Sequence, residues 1–338
     1  MSKHQMRRIL VTGASGFIGS AFVRQWALAD PVFSQVGWNA GIRLVAHVRG
    51  SQAWTAARLE TPEIEKAKQE GRLRIVRGDL LGDTSGLCED IDAVVHFAAK
   101  TFVDHSIKDP QPFIDANTVA TARLLAEAHR HGVRVFIQVS TDEVYGQILE
   151  GSYKEDAPWN PRNPYAAAKA AADALAISYF HTFGMKTIIT RTENNYGPFQ
   201  HPQKVLPVFV AKAISGQSLP VYGDGQHVRQ WLHVSDHVRA IMHLLEYSEM
   251  LPGGEVWHVA GCEELTNETL AKRILDACDA PHSQIRFIDD HNVRPGHDRR
   301  YALDCSKMNA IGWHAKISLD DGLAACVQWY RDNPWWVA

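Results

Sequence analysis

The chain has 338 residues, 45% of them apolar and 22% charged, with a formal net charge of -3. That length exceeds what one hydrophobic core usually holds, so one large and one smaller domain are expected. The near-neutral charge argues against a general binder of nucleic acid or anionic membranes, and no apolar run reaches the roughly 18 residues of a membrane span.

The N-terminal MSKHQMRRILVTG enters a strand directly and lacks the apolar core of a signal peptide. The cysteines (Cys88, Cys262, Cys278, Cys305, Cys326) are scattered, odd in number and without CxxC, and read as free thiols in a reducing cytoplasm. The histidines show no HExxH spacing, and no metal site is expected.

The first expected strand, Arg8–Thr12, runs into Gly13-Ala14-Ser15-Gly16-Phe17-Ile18-Gly19 and a helix over Phe17–Leu28. A GxxGxxG between strand and helix predicts dinucleotide binding. Gly13 permits the tight turn, Gly16 lets backbone N–H groups approach a pyrophosphate, and Gly19 allows close helix–strand packing. The helix N-terminus, with Phe17 and Ile18, favours the anion. The second strand, Ile42–Val48, ends in Arg49-Gly50-Ser51, where NAD-binding folds usually place an acid for the ribose 2′-hydroxyl. A guanidinium suits a 2′-phosphate and points to NADP; the alternative is a solvated Arg49 with NAD held by other contacts. The third strand, Leu73–Val76, leads to Asp79 and Leu80, which either reach an adenine or cap a loop. The fourth, Ala93–Phe97, delivers Ala98 to the same region.

A helix over Thr118–His131 carries Asn117 at its start, and a strand over Val133–Val139 follows. That strand runs into Ser140-Thr141-Asp142-Glu143. Adjacent carboxylates at the edge of a core are costly unless something uses them. Tyr165-Ala166-Ala167-Ala168-Lys169 is YxxxK on a helix, which puts both side chains on one face. A neighbouring ammonium and a nicotinium cation both favour the phenolate, making Tyr165 a usable base near neutral pH. After a strand over Lys186–Arg191, helical stretches (Val205–Ser215, Asp236–Glu246, Asn267–Asp279, Ser318–Asp332) alternate with loops rich in Gly, Pro and His. The expected architecture is α/β: a Rossmann-type doubly wound parallel sheet with a smaller, mixed C-terminal substrate domain. Residues 1–190 form the dinucleotide-binding domain and 191–338 the second, with some exchange of strand and helix between them, and ligands sit at the carboxyl ends of the strands.

These motifs resemble those of the extended short-chain dehydrogenase/reductases. GASGFIG, the AA-x-x-x-VD-x-SI pattern at Ala98–Ile107, STDEVYG, NPYAAAK, RTENNYGP, PQKVLP, YGDGQHVRQWLHVSDH and RPGHDRRYALD are similar to the nucleotide-sugar 4,6-dehydratases, most closely those acting on dTDP-glucose. The resemblance implies roles. Tyr165, assisted by Thr141 and Lys169, takes the C4 hydroxyl proton while hydride leaves for the nicotinamide. Glu143 removes the C5 proton that the 4-ketone acidifies, and Asp142, held protonated, donates to the departing C6 hydroxyl. Hydride returns to C6, giving a 4-keto-6-deoxy sugar. An acid beside a base requires environments that split their pKa values. The cofactor, NAD by resemblance, is bound tightly and recycled within one turnover. Arg229 and Arg294 match diphosphate contacts, and Asn194, Lys204 and Tyr301 lie in matched nucleotide-sugar motifs, with Lys100 and Asn117 beside the sugar. A homodimer paired through Thr118–His131 and Tyr165–Phe183 is implied.

The chain departs from the dTDP-glucose pattern at Lys100, Phe102, Glu193 and His258, and the catalytic helix reads AAAK rather than SASK. Lys100 suits a substrate carrying a negative group, and a Lys100–Glu193 pair is the competing explanation. Two other readings stay open: an epimerase, decarboxylase or variant dehydratase of the same family acting on another nucleotide sugar, and a non-catalytic dinucleotide sensor. The second conflicts with the intact set of Thr141, Asp142, Glu143, Tyr165 and Lys169.

Overall fold

In the computed structural model, which describes residues 6–28, 41–50, 53–261, 263–289 and 298–337, the apolar runs of the first half become parallel strands. Strands β1 (Arg8–Thr12), β2 (Arg43–Val48), β3 (Leu73–Arg77), β4 (Ala93–His96), β5 (Val135–Thr141) and β6 (Thr187–Thr192) join a seven-stranded sheet. Its order is β3-β2-β1-β4-β5-β6, closed at the far edge by a strand at Glu255–Val259. The pairs β2–β3, β1–β2, β1–β4 and β4–β5 are parallel. This is the Rossmann-type α/β arrangement, and its strand order reverses between β1 and β4. Ile9, Leu10, Val11, Val94 and Val95 are wholly buried, as a sheet with helices on both faces requires.

Helix α1 (Phe17–Ala27) follows β1. Helices α2 (Ala53–Leu59) and α3 (Pro62–Gln69) connect β2 to β3. Beyond β4 come α4 (Val103–Lys108) and α5 (Gln111–Ile114), then a π-helical turn at Asp115–Val119 that continues into α6 (Ala120–Arg130). The sequence pattern runs one helix from Thr118; the structure inserts the wider turn there and places Asn117 inside it. Helix α6 closes on Gly132, at φ +67, with the N–H of Val133 donating to the carbonyl of Ala128. Strand β5 therefore begins two residues later than its apolar run suggests. It also extends two residues further, taking in buried Ser140 and Thr141.

The chain divides into two compact units. The first comprises Met1–Val144, Asn163–Arg191 and Val238–Trp257; the second comprises Tyr145–Arg162, Thr192–His237 and His258–Ala338. The second unit includes a three-stranded sheet (Asn194–Tyr196, Val228–His233, Glu264–Thr266) and a two-stranded one (Leu219–Tyr222, Ile285–Ile288). Helices at Val205–Ile214, Asn267–Ala277 and Leu319–Asp332 accompany them. Among the described residues, no helix is long and apolar enough to cross a membrane.

The packing of α1 on β1 depends on Gly19. A Cβ there would lie 2.3 Å from the carbonyl oxygen of Gly13, backbone that cannot yield cheaply. Gly19→Ala should cost about 1–3 kcal/mol, whereas Gly41→Ala, with nothing within 4 Å of the added carbon, should stay within about 0.5 kcal/mol of the parent. Chemical denaturation of both variants tests this.

Candidate active site

The loop after β1 is shaped for an anion. Gly13 stands at φ +63, and a Cβ there would meet the backbone nitrogen of Ala98 at 2.6 Å. Helix α1 begins with Gly16 as N-cap, without a side-chain cap and without an acid in its first turn. Its positive end carries the orphan N–H donors that a pyrophosphate needs. Phe17 and Ile18 open that helix, half-buried. Leu80 is buried, and Asp79 is exposed with Oδ1 accepting the N–H of Leu81, a loop cap.

A buried chain of hydrogen bonds runs from this loop to the π-turn. The N–H of Ala98 donates to Thr12 Oγ1 at 3.4 Å, and Thr12 Oγ1 lies 2.6 Å from His96 Nδ1. His96 Nε2 lies 3.0 Å from Thr121 Oγ1, whose hydroxyl donates to the carbonyl of Asn117 at 2.7 Å. The Thr121 proton is spent on that carbonyl, so His96 donates from Nε2 and accepts from Thr12 at Nδ1. Burial, with Lys169 and His47 nearby, pushes His96 down to about 3 and keeps it neutral. The amide of Asn117 closes the chain: Oδ1 accepts from the N–H of Lys100 at 2.8 Å, and Nδ2 donates to its carbonyl at 3.0 Å. Asn117 is thus buried and clamps backbone. Both ends of the amide serve residue 100. The Lys100 ammonium lies over the ring of Phe113, 5.8 Å from its centroid.

Helix α7 (Pro164–Phe183) carries the YxxxK pair. It starts where the sequence provides a cap and a stop for the preceding loop. Asn163 accepts the N–H of Ala166, Pro164 occupies the first turn, and Gly184 ends the helix in the left-handed region. Tyr165, Lys169 and Asp173 lie four residues apart on its buried face. The N–H of Tyr165 donates to Ser106 Oγ at 3.2 Å.

Thr141, at the end of β5, shares a hydrogen bond with the Tyr165 phenol and donates to Asp142 Oδ1 at 3.0 Å. Asp142 and Glu143 open a 3₁₀ turn, Asp142–Tyr145. Asn163 Nδ2 donates to Glu143 Oε2 at 2.9 Å, so one asparagine caps α7 and orients this carboxylate. The structure therefore brings Thr141, Asp142, Glu143 and Tyr165 together in one unit and gives each acid a partner.

Lys169 is 4% exposed and donates to the carbonyl of Val139 at 2.6 Å. Burial lowers it to about 8, and Asp173 opposes that shift. Asp173 is wholly buried and pairs with the equally buried Arg191 at 3.0 Å. Burial pushes the Asp173 carboxyl up, while Arg191 and Lys169 pull it back. Burial and then the Glu143 carboxylate push the Tyr165 phenol far above its ordinary value, and the Thr141 hydroxyl beside it only partly offsets them.

In the second unit, Arg229 is anchored rather than solvated. Its guanidinium donates to the carbonyls of Val228 (2.7 Å), Asp298 (2.8 Å) and Arg299 (3.3 Å). It lies 4.5 Å from the centroid of the Tyr301 ring. Tyr301 donates to Asp298 Oδ2 at 2.6 Å, and Arg162 pairs with the other oxygen at 2.6 Å. Asn194 is half-buried in its short strand, and Lys204 stands at the N-cap of Val205–Ile214. Arg294 lies outside the described residues. Glu193 Oε2 accepts the N–H of Gly261 at 3.2 Å. His258 is buried, with Nε2 2.7 Å from the Tyr145 hydroxyl and Nδ1 3.0 Å from the carbonyl of Asp304.

Sequence reasoning missed Asn163, Ser106, His96, Asp173 and Arg191. Asn before Pro at a helix start was readable as a cap, and Asp173 repeats the four-residue spacing of Tyr165 and Lys169. Nothing local marks His96 or Arg191, whose partners lie on other elements.

Three comparisons bear on this arrangement. A family model described as GDP-mannose 4,6 dehydratase matches residues 10–326. A dTDP-glucose 4,6-dehydratase of Streptomyces niveus is 43% identical over 97% of this chain and 94% of its own length. One from Actinoplanes sp. is 42% identical over 97% and 99%, respectively. Among solved structures, DesIV of Streptomyces venezuelae, a dTDP-glucose 4,6-dehydratase crystallised with NAD bound, matches with a TM-score of 0.86 at 41% identity, over 97% of this chain and 98% of that one.

The buried charges set one expectation. Asp173→Asn removes the negative neighbour that supports the Lys169 ammonium, so the ammonium should lose its proton at lower pH. The alkaline limb of the activity profile should move toward acid by roughly one unit or more. Removing one charge of the buried Asp173–Arg191 pair also costs about 3–5 kcal/mol. A pH–rate profile and a thermal melt read both effects.

Proposed function

The chain belongs to the family of that GDP-mannose 4,6 dehydratase model, and from this membership we propose that it is a nucleotide-sugar 4,6-dehydratase acting on dTDP-glucose. The observation that carries the reading is the pairing of two carboxylates with one phenol. Asp142 and Glu143 sit beside Tyr165, each fixed by a named partner. An epimerase needs only the phenol, whereas a dehydratase needs a second base and an acid as well.

The residues present fit a dinucleotide. Gly13, Gly16 and Gly19 let the loop turn tightly with backbone packed on backbone at the start of α1, Phe17 and Ile18 carry donors there, and Asp79, Leu80 and Ala98 stand at neighbouring strand ends. When bound, the nicotinamide supplies the hydride acceptor for C4 oxidation and the donor that restores C6. Tyr165, as the phenolate that the Lys169 ammonium and a bound nicotinium would favour, accepts the C4 hydroxyl proton, with Thr141 beside it. Lys169, held as an ammonium by Asp173, favours that transfer electrostatically. Glu143, aimed by Asn163, removes the C5 proton. Asp142 donates a proton to the departing C6 hydroxyl, and the net loss is one water.

The first unit is assigned to the dinucleotide and the second to the nucleotide sugar, with Arg229 and Tyr301 beside its diphosphate and Asn194, Lys204 and Arg294 completing that set. The anchoring of Arg229 by three carbonyls supports this reading, since it fixes a cation where an anion would dock. A homodimer through α6 and α7 accounts for the exposure of Val119 just before α6 and Phe183 at the end of α7. The free thiols Cys88, Cys278, Cys305 and Cys326 support a cytoplasmic setting.

Incubation with dTDP-glucose and no added cofactor should give a product lighter by one water, read by mass spectrometry. Glu143→Gln should slow water loss by about 10²–10⁴-fold while C4 oxidation persists, seen as reduced dinucleotide accumulating. Unchanged dehydration in that variant would remove Glu143 from the mechanism.

A further inference from the structure

The segment between the strand Asn194–Tyr196 and the helix Val205–Ile214 carries a strain that the reaction itself does not use. Phe199 stands at φ +66, in the left-handed region that a bulky L residue rarely adopts. Strain of this kind persists only where the surrounding structure over-determines it. Two backbone turns flank it. The N–H of Gln200 donates to the carbonyl of Gly197 at 3.3 Å, and the N–H of Lys204 to that of His201 at 2.9 Å. The backbone at Phe199 therefore sets where Lys204 stands relative to Asn194.

The hold comes from the helix Leu319–Asp332 and the 3₁₀ turn Pro334–Trp336 that follows it. The Phe199 ring lies 4.6 Å from that of Trp329 and 5.6 Å from that of Trp336, centroid to centroid. The two indoles meet edge to face at 5.5 Å. These spacings suit attractive aromatic pairs. Trp336 is 2% exposed, and its Nε1 donates to the carbonyl of Gln200 at 2.7 Å. Gln200 passes the hold on, Nε2 donating to the carbonyl of Asn195 at 2.8 Å. The 3₁₀ turn is tied to its helix in turn: the N–H of Trp336 donates to the carbonyl of Asn333, and the N–H of Asn333 to that of Trp329, each at 3.0 Å. The same helix packs directly on the strand, since a Cβ at Gly322 would collide with the Tyr196 hydroxyl. Rings and hydrogen bonds thus grip the segment on both sides of the strained residue.

We propose that Trp329 and Trp336 are positioning residues for the nucleotide sugar: they hold the Phe199 turn in its strained form, and the turn keeps Asn194 and Lys204 in register for binding. This rests on the nucleotide-sugar reading above. Neither tryptophan moves a proton in that reaction, so their loss should appear in binding rather than in the chemical step. Trp336→Phe removes the indole N–H and keeps a ring. It should weaken dTDP binding, read by calorimetry, by about 2- to 10-fold, the range of one neutral hydrogen bond. KM for dTDP-glucose should rise in step, with kcat within about 2-fold of the parent. A pair of variants at Phe199 separates strain from packing, and decides the matter if Trp336→Phe does not fold. Both remove the ring, but glycine adopts the left-handed region freely and alanine does not. Phe199→Ala should weaken dTDP binding by about 5- to 30-fold, and Phe199→Gly should recover most of that loss. Unchanged dTDP affinity in Trp336→Phe, equal losses in the two Phe199 variants, or a fall in kcat with KM unchanged would overturn the positioning role while leaving the dehydratase reading intact. Failure of the parent protein to bind dTDP would overturn both.

Discussion

Three charges, those of Lys169, Asp173 and Arg191, are buried along and beside the helix that carries Tyr165, and the rest of the candidate site is arranged around them. Unpaired, each would cost several kcal/mol. Together they form a ladder along α7 and across to β6, with the Val139 carbonyl accepting a hydrogen bond from Lys169. The ladder fixes the rotation of α7, because turning the helix would bury an unpartnered charge. Rotation of α7 in turn fixes Tyr165 against Thr141.

This explains how a buried strand ends in two hydroxyls and two carboxylates. Strand β5 brings Ser140 and Thr141 into the core, where each polar atom needs a partner. The 3₁₀ turn that follows releases Asp142 and Glu143 from the strand alternation, so both can be held on one side of it. Asn163 then links Glu143 to the start of α7. One helix cap therefore serves fold and chemistry at once.

A second polar network is built around His96. It joins β1, β4 and the π-turn through donors of one direction, with a neutral imidazole at its centre. The wider turn at Asp115–Val119 aims Asn117 at the backbone of Lys100, and the clamp positions the segment that leaves β4. Polar networks of this kind tolerate little substitution, since each missing partner leaves a buried donor or acceptor unsatisfied.

The sequence by itself determined the strand–loop–helix cradle, the α/β alternation and the YxxxK face. These depend on spacing within one or two turns of chain, and local sterics and periodicity dictate them. It also marked Arg49 as the wrong charge for an ordinary ribose contact. Tertiary structure decided what each polar group does with its neighbours. It closed both ends of the Asn117 amide on the backbone of residue 100, and set the Tyr165 phenol in a buried place beside the Glu143 carboxylate that opposes its ionisation. It also joined Asp173 to Arg191. Each of these turns on burial and on partners distant in sequence. Desolvation depends on the whole surrounding core, and no local pattern encodes it.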